Sequence, residues 1–332
     1  MPEKPHFPDT FATPQIVEEP FKYDLFKGHN RSDGSYKTDE QLRLEYLQLT
    51  DGLINKMTSG IQVTNPETGE KSIEKPDVVV WLDKSARPLS WFTKELWSKM
   101  ATDPTTGEVP KMPDFRFVNI DREQWVNKLD PEGNGHMDIK RIDPTIIRSL
   151  RSIFVSPIAK RDGLTEKIDN APSQFDGKTV MIVDEVYSSG RTLQYSQAFF
   201  ERAFPTAKIG TAYWMSGITM KQGASGNKDL PVWYKQGDIT GRGVGNRNDS
   251  LSAKSQNTTQ RLGRYFLSTP LPGPDPNSLQ LRKELHELAT NPDVPVMPDL
   301  TRPDKLERIQ SYNNGLSVTE VMKRVNEIKA QR

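Results

Sequence analysis

The pattern of apolar and polar positions divides the chain into stretches of different character. Residues 1–37 are proline-rich and polar, with scattered aromatics and no period. They read as an arm that packs in extended form or stays partly disordered. From there Leu42, Tyr46, Leu49, Leu53 and Met57 recur at helical spacing, and Thr38 with Gln41 forms a capping box in front of them. The stretch GIQVTNPETGEKSIE predicts two short strands around a polar turn. At Pro76 the pattern changes. DVVVWL is an almost continuous β-branched apolar run, which suits a strand buried on both faces of a parallel sheet. It ends in DKSARP, where Pro88 suits a first helical position, and Leu89, Phe92, Leu96, Trp97 and Met100 then form a helical stripe. A turn (DPTTGE) leads to a predicted strand, FRFVNI. Residues 121–177 are mostly polar, with one helix predicted near DPTIIRSLRSIF. TVMIVD is the next strand. EVYSSGR, a helix from about Thr192 to Ala203 and the strand KIGTAYW follow.

Strand, helix, strand, insertion, strand, helix, strand over residues 76–215 is the alternation of an α/β fold with a parallel sheet and right-handed crossovers. Three regions follow from this. Residues 1–75 hold an arm, a helix and a hairpin, 76–215 the α/β core, and 216–332 a loop-rich and helical extension. In the last region Ser317 and Glu320 box the start of a final helix, on which Val318, Val321, Met322, Val325 and Ile328 share a face. That face carries no aromatic residue and the helix bears both signs of charge. It suits packing or a homodimer contact rather than a membrane. No internal repeat is present.

Composition narrows the function classes. Among 332 residues, 45 Lys and Arg oppose 44 Asp and Glu, a formal net charge of +1. Such a balance gives no broad electrostatic grip on nucleic acid or on an anionic membrane. The absence of cysteine excludes disulfides, thiolate zinc sites and cysteine nucleophiles. His6, His29, His136 and His286 are too scattered for a local metal-binding pair, and read as structural or solvated. Only 34% of residues are hydrophobic, so the core is concentrated in part of the chain. No apolar run is long enough to cross a bilayer, and MPEKPHFPDT lacks the apolar segment of a secretory signal. The expectation is a cytoplasmic protein.

Residues 180–193, VMIVDEVYSSGRTL, carry the chemistry. Val180 to Val183 form a buried strand, and Asp184 and Glu185 follow at its carboxyl end, where open α/β sheets bind ligands. Ser188, Ser189, Gly190 and Thr192 then lead into a helix. A loop rich in hydroxyls and glycine at a helix N-terminus offers backbone N–H groups to an anion. Two carboxylates beside a phosphate make sense if they accept hydrogen bonds from sugar hydroxyls or approach a divalent cation. A phosphorylated sugar fits both halves of the segment.

This segment resembles the PRPP-binding motif of the type I phosphoribosyltransferases (PRTases): four apolar residues, two acidic ones, a hydroxyl- and glycine-rich loop, then Thr-Leu. The resemblance implies an α/β fold of the type I PRTase kind, a parallel sheet flanked by helices, with terminal segments forming a variable hood over the acceptor. It implies that Asp184 and Glu185 hold the ribose hydroxyls and approach Mg²⁺ indirectly, and that Ser188, Ser189, Gly190, Arg191 and Thr192 wrap the 5′-phosphate. DKSARP resembles the family's pyrophosphate loop, which maps Asp83, Lys84, Ser85, Ala86 and Arg87 beside the pyrophosphate. The likeness covers residues 76–215. Glu185 as the second acid, Arg191 where a second glycine is frequent and Ala86 where glycine is frequent depart from the pattern.

The activity implied is transfer of 5-phosphoribosyl from Mg-PRPP to a nitrogen acceptor with release of pyrophosphate. Asp184, Glu185, Lys84 and Arg87 would be the catalytic residues. A non-catalytic PRPP- or nucleotide-binding regulator on the same fold is the competing expectation. A basic loop closing over PRPP would come from the 121–177 insertion, with Arg148, Arg151, Lys160 and Arg161 as contributors. GDITGRGVGNRN, residues 237–248, does not match GxGxxG; it reads as a linker, or as a covering loop with Arg242 and Arg247 on an anion. Tyr187 lies within the phosphate loop, near where an acceptor ring would sit, and Trp81, Trp91, Trp97 and Trp125 read as packing residues.

Overall fold

The computed structural model describes residues 26, 29–30, 36–83, 85–103, 106–120, 142–155, 168, 171–187, 190–216, 259–262, 267–270 and 276–291. In chain order the strands are β1 (His29–Asn30), β2 (Tyr36–Lys37), β3 (Ile61–Thr64), β4 (Lys71–Glu74), β5 (Val78–Asp83), β6 (Asp114–Asn119), β7 (Thr179–Tyr187), β8 (Lys208–Ser216), β9 (Thr259–Leu262) and β10 (Leu267–Pro270). The helices are α1 (Asp39–Ser59), α2 (Ala86–Met100), α3 (Pro144–Phe154), α4 (Arg191–Ala203) and α5 (Pro276–Thr290). The final helix expected at 317–328 lies outside the described residues, as does the 237–248 loop.

The centre is a four-stranded sheet in the order β6-β5-β7-β8, parallel throughout. Every residue of β5 is buried, as its unbroken apolar run requires of a strand covered on both faces. One face carries α1, α2 and α5, whose apolar side chains form a single cluster with Val79, Trp81, Met181 and Val183. The other face carries α3 and α4, which pack on Val78, Val80, Val180 and Ile182. Alternate residues of each strand thus serve opposite layers, as the period of two dictates. Helix α5 contributes Leu281, Leu285 and Leu288 to the first layer, so this part of the C-terminal extension shares the core of residues 76–215.

The hairpin β3–β4 is antiparallel and lies against β8. Glu74 at its end accepts hydrogen bonds from Lys208 Nζ (2.7 Å), Thr179 Oγ1 (2.8 Å) and Ser72 Oγ (2.8 Å). These bonds, led by that of Lys208, pull the Glu74 carboxyl down to about 2. Trp81 and Trp97 are buried, and Trp97 Nε1 donates to the Pro110 carbonyl at 2.9 Å. Arg282 lies over the Trp91 ring at 5.3 Å, while Trp125 lies outside the described residues. Among the described residues no helix is long and apolar enough to cross a membrane.

Two boundaries differ from expectation. Helix α2 begins at Ala86, so Pro88 occupies its first turn rather than its first position. The first four N–H groups of a helix have no partner within it, so proline there removes no hydrogen bond. Strand β7 does not stop at Val183. It runs through Asp184 and Glu185 to Tyr187, because β8 continues beside it and pairs Asp184 with Tyr213, Val186 with Met215 and Tyr187 with Ser216.

Candidate functional site

Strand β5 leads into α2 on one face of the sheet, and β7, its neighbour, leads into α4 on the other. Chain connections therefore diverge between the carboxyl ends of β5 and β7 and leave a crevice there. This is the position at which open α/β sheets bind ligands. Both segments singled out from the sequence meet at it.

Their junction is a single hydrogen bond. Ser85 Oγ donates to Asp184 Oδ1 at 3.1 Å, across 99 positions of sequence. Ser85 stands at the N-cap of α2, where serine ordinarily bonds the first-turn backbone, yet its side chain makes no capping bond. The tertiary contact takes the hydroxyl instead. Helix α4 likewise starts without a side-chain cap, and neither α2 nor α4 has an acidic residue in its first turn. Two helix N-termini thus arrive at the same crevice, neither capped by the side chain of its own N-cap residue, and each carries roughly half a positive charge.

Asp184 is 9% exposed and Glu185 is fully buried. Burial pushes the Asp184 carboxyl up to about 6, against the opposing effect of Ser85 and of the Glu185 backbone N–H, which bonds Oδ1 at 2.8 Å. Asp184 is therefore a carboxylate held at a cost, one that a cation or a set of donors in the crevice would relieve.

Asp83 and Arg87 form a closed pair. Arg87 donates to both carboxylate oxygens, through Nε at 2.9 Å and through a terminal nitrogen at 2.5 Å. The Asp83 side chain is 1% exposed and that of Arg87 15%. The guanidinium also lies 4.2 Å from the centre of the Phe117 ring. Arg87, one of the two cations expected of the 83–87 segment, is thus already balanced by the segment's own aspartate. Ala86 is buried in the first turn of α2. Lys84, Ser188 and Ser189 lie outside the described residues.

Gly190 begins α4 with a φ of +73°, and a Cβ placed on it would fall 2.6 Å from the Tyr187 ring. Glycine is needed here for both its conformation and its lack of a side chain. Tyr187 packs on this backbone and stacks against Tyr213, with ring centres 4.7 Å apart. Arg191 and Thr192 are the first two residues of α4, and the Thr192 carbonyl accepts Ser196 Oγ at 2.7 Å.

Of the four basic residues expected to close over the crevice, Arg151 is committed elsewhere. Its guanidinium bonds the carbonyls of Ile168, Ala171 and Ala203 and ties α3 to the end of α4. Arg148 lies within α3, while Lys160 and Arg161 fall outside the described residues, as do Arg242 and Arg247. His286 is an exposed neighbour of Glu95 at 3.4 Å, and no histidine side chain described here reaches the crevice.

One polar residue at the crevice escaped the sequence reading. Asn119 ends β6 in register with Asp83 and is 4% exposed. The signal was faint: β6 closes on Asn119 as β5 closes on Asp83, but in the sequence the apolar Ile120 follows and masks that end.

No protein-family model matches the chain, and no curated protein matches it. Function therefore rests on the crevice itself.

Proposed function

We propose that the protein is a phosphoribosyltransferase that moves the 5-phosphoribosyl group from Mg-PRPP to a nitrogen acceptor and releases pyrophosphate, on a fold of the type I PRTase kind. The observation that supports it best is the Ser85–Asp184 hydrogen bond. It draws the segment resembling a pyrophosphate loop and the segment resembling a PRPP motif to one crevice of a parallel α/β sheet. PRPP presents phosphate at one end, pyrophosphate at the other and two hydroxyls between. The crevice has the helix N-termini of α2 and α4, neither with an acidic residue in its first turn, and a buried carboxylate between them.

On this reading the α4 N-terminus from Gly190 to Thr192 takes the 5′-phosphate through backbone N–H groups. Asp184 accepts a ribose hydroxyl, in place of or beside the Ser85 hydroxyl, and its charge faces the positive charge that develops on the ribose as the anomeric bond breaks. Glu185 braces that end of β7 from within the core. The α2 N-terminus takes the leaving group. Asp184 and Glu185 are hard oxygen donors of the kind magnesium takes, and an ion carried on the substrate's pyrophosphate needs only one or two protein carboxylates. Bound there, magnesium would neutralise the leaving group's charge.

The competing reading, a PRPP- or nucleotide-binding regulator without turnover, draws on the closed Asp83–Arg87 pair. A guanidinium neutralised by its own aspartate gives less help to a departing anion than an unpaired one. The deciding experiment is calorimetry with PRPP and Mg²⁺, followed by an assay of PRPP-dependent pyrophosphate release over a panel of bases and other nitrogen nucleophiles. Binding with release establishes the transferase. Binding with no release from any acceptor favours the regulator, and no binding of PRPP or ribose 5-phosphate removes both.

A further inference from the structure

At the carboxyl end of β6, next to the 83–87 segment, a buried side-chain donor stands without an evident structural role. Asn119 Nδ2 is buried and has no hydrogen-bond partner. Leaving such a donor unmet is disfavoured, and native proteins seldom tolerate it without a use.

Its location follows from strand geometry. Paired residues of parallel strands project to the same face, and Asn119 pairs with Asp83. Phe115 and Phe117, four and two positions earlier, pack on the α2 layer, whereas Val118 packs on the opposite layer. Asn119 therefore lies on the α2 side, next to Asp83 and beyond the Phe117 ring on which Arg87 rests. Both oxygens of Asp83, its partner on β5, accept from Arg87. The chain runs from Asp83 into the N-terminus of α2 on this same side, a setting that favours an anionic acceptor.

We propose that Asn119 is a binding residue for the phosphate end of the ligand on the α2 side, its Nδ2 donating to an anionic oxygen beside Arg87. This rests on the phosphoribosyltransferase reading and adds to it a donor from the edge strand β6. A leucine at this position would carry no unmet donor, so asparagine stands here at some expense to stability, as binding residues commonly do.

The test compares the full-length wild type with Asn119→Leu, which keeps the bulk and removes the donor, and Asn119→Asp, which keeps the shape and adds a charge. Each is titrated calorimetrically with PRPP, magnesium pyrophosphate and ribose 5-phosphate, and each is melted without ligand. Asn119→Leu should weaken PRPP and pyrophosphate by about 10- to 100-fold, the range of a hydrogen bond to a charged group. It should leave ribose 5-phosphate within about twofold and the melting temperature equal or higher. Asn119→Asp should weaken both pyrophosphate ligands further. Unchanged PRPP affinity in Asn119→Leu, or a parallel loss of ribose 5-phosphate with a lowered melting temperature, overturns the assignment and makes Asn119 structural. A wild type that binds none of the three ligands instead refutes the phosphoribosyltransferase reading beneath it.

Discussion

Replacing Asp184 by asparagine should make the protein more stable at neutral pH and less able to hold its ligand. The side chain is 9% exposed, and its carboxyl is pushed up by burial to about 6 from an ordinary 3.8. A group whose folded value lies above its unfolded value binds its proton more tightly in the native state. Its ionisation therefore costs stability as pH rises, from about 3.8 through about 6, and the full cost is present above that window. At about 1.4 kcal/mol per pH unit, the gap corresponds to a ceiling of about 3 kcal/mol at pH 7.5 and about half that at pH 5. Asparagine is nearly isosteric, never ionises and can still accept at Oδ1 from Ser85 and from the Glu185 N–H. Urea denaturation of both proteins at pH 7.5, 6 and 5 measures the difference, and groups common to both cancel. The variant should be more stable at pH 7.5 by up to about 3 kcal/mol, with an advantage that shrinks as pH falls. PRPP binding should weaken in the same variant. A variant that is less stable at pH 7.5, or that differs by the same amount at every pH, would show that Asp184 is not a buried carboxylate bearing this cost.

The Asp83–Arg87 pair should behave as a unit. Asp83→Ala alone should cost about 3 kcal/mol by stranding a mostly buried guanidinium, whereas Asp83→Ala with Arg87→Met should cost less than the sum of the single changes. A urea-based double-mutant cycle measures this, and additive energies would mean the two ions are independently solvated. Glu74→Gln should loosen the hairpin from β8 by less than about 1 kcal/mol, since the Glu74 and Lys208 side chains are each 29% exposed and screened. Because the folded carboxyl sits at about 2, below an ordinary 4.5, its contribution is present above pH 4.5 and is lost as pH falls toward 2. A urea midpoint difference that persists undiminished at pH 2, or that ignores added salt, would contradict the ion-pair origin.

Much of the layout was written in local pattern. The β-branched run DVVVWL suits a strand covered on both faces, and β5 is buried throughout. The spacing of Leu42, Tyr46, Leu49 and Leu53 made α1 legible, and all four side chains lie in the core. In VMIVDEVYSSGRTL the acidic pair and the glycine were visible as chemistry, because charged residues after an apolar strand need a reason that packing does not supply. Hidden from the sequence was everything that depends on a neighbour distant along the chain. Strand β7 outlasts its apolar run because β8 offers a backbone ladder that is indifferent to side-chain polarity. Arg151 looked like a candidate for an anion, but three carbonyls converge on it only once α3 and α4 pack. Asn119 carried too weak a signal alone, since its meaning depends on sitting beside Asp83.

The sequence by itself determined the alternation of strands and helices and the acidic residues that follow the apolar runs of β5 and β7. Periodicity and residue chemistry are local properties, and they do not require knowing which strand lies next to which. The tertiary structure alone decided that β5 and β7 are neighbours whose helices depart to opposite faces. That adjacency opens the crevice and brings Ser85 to Asp184, while the pairing of β5 with β6 sets Asn119 beside Asp83. It arises from burying two apolar faces of one sheet at once, a cooperative demand that no single segment encodes.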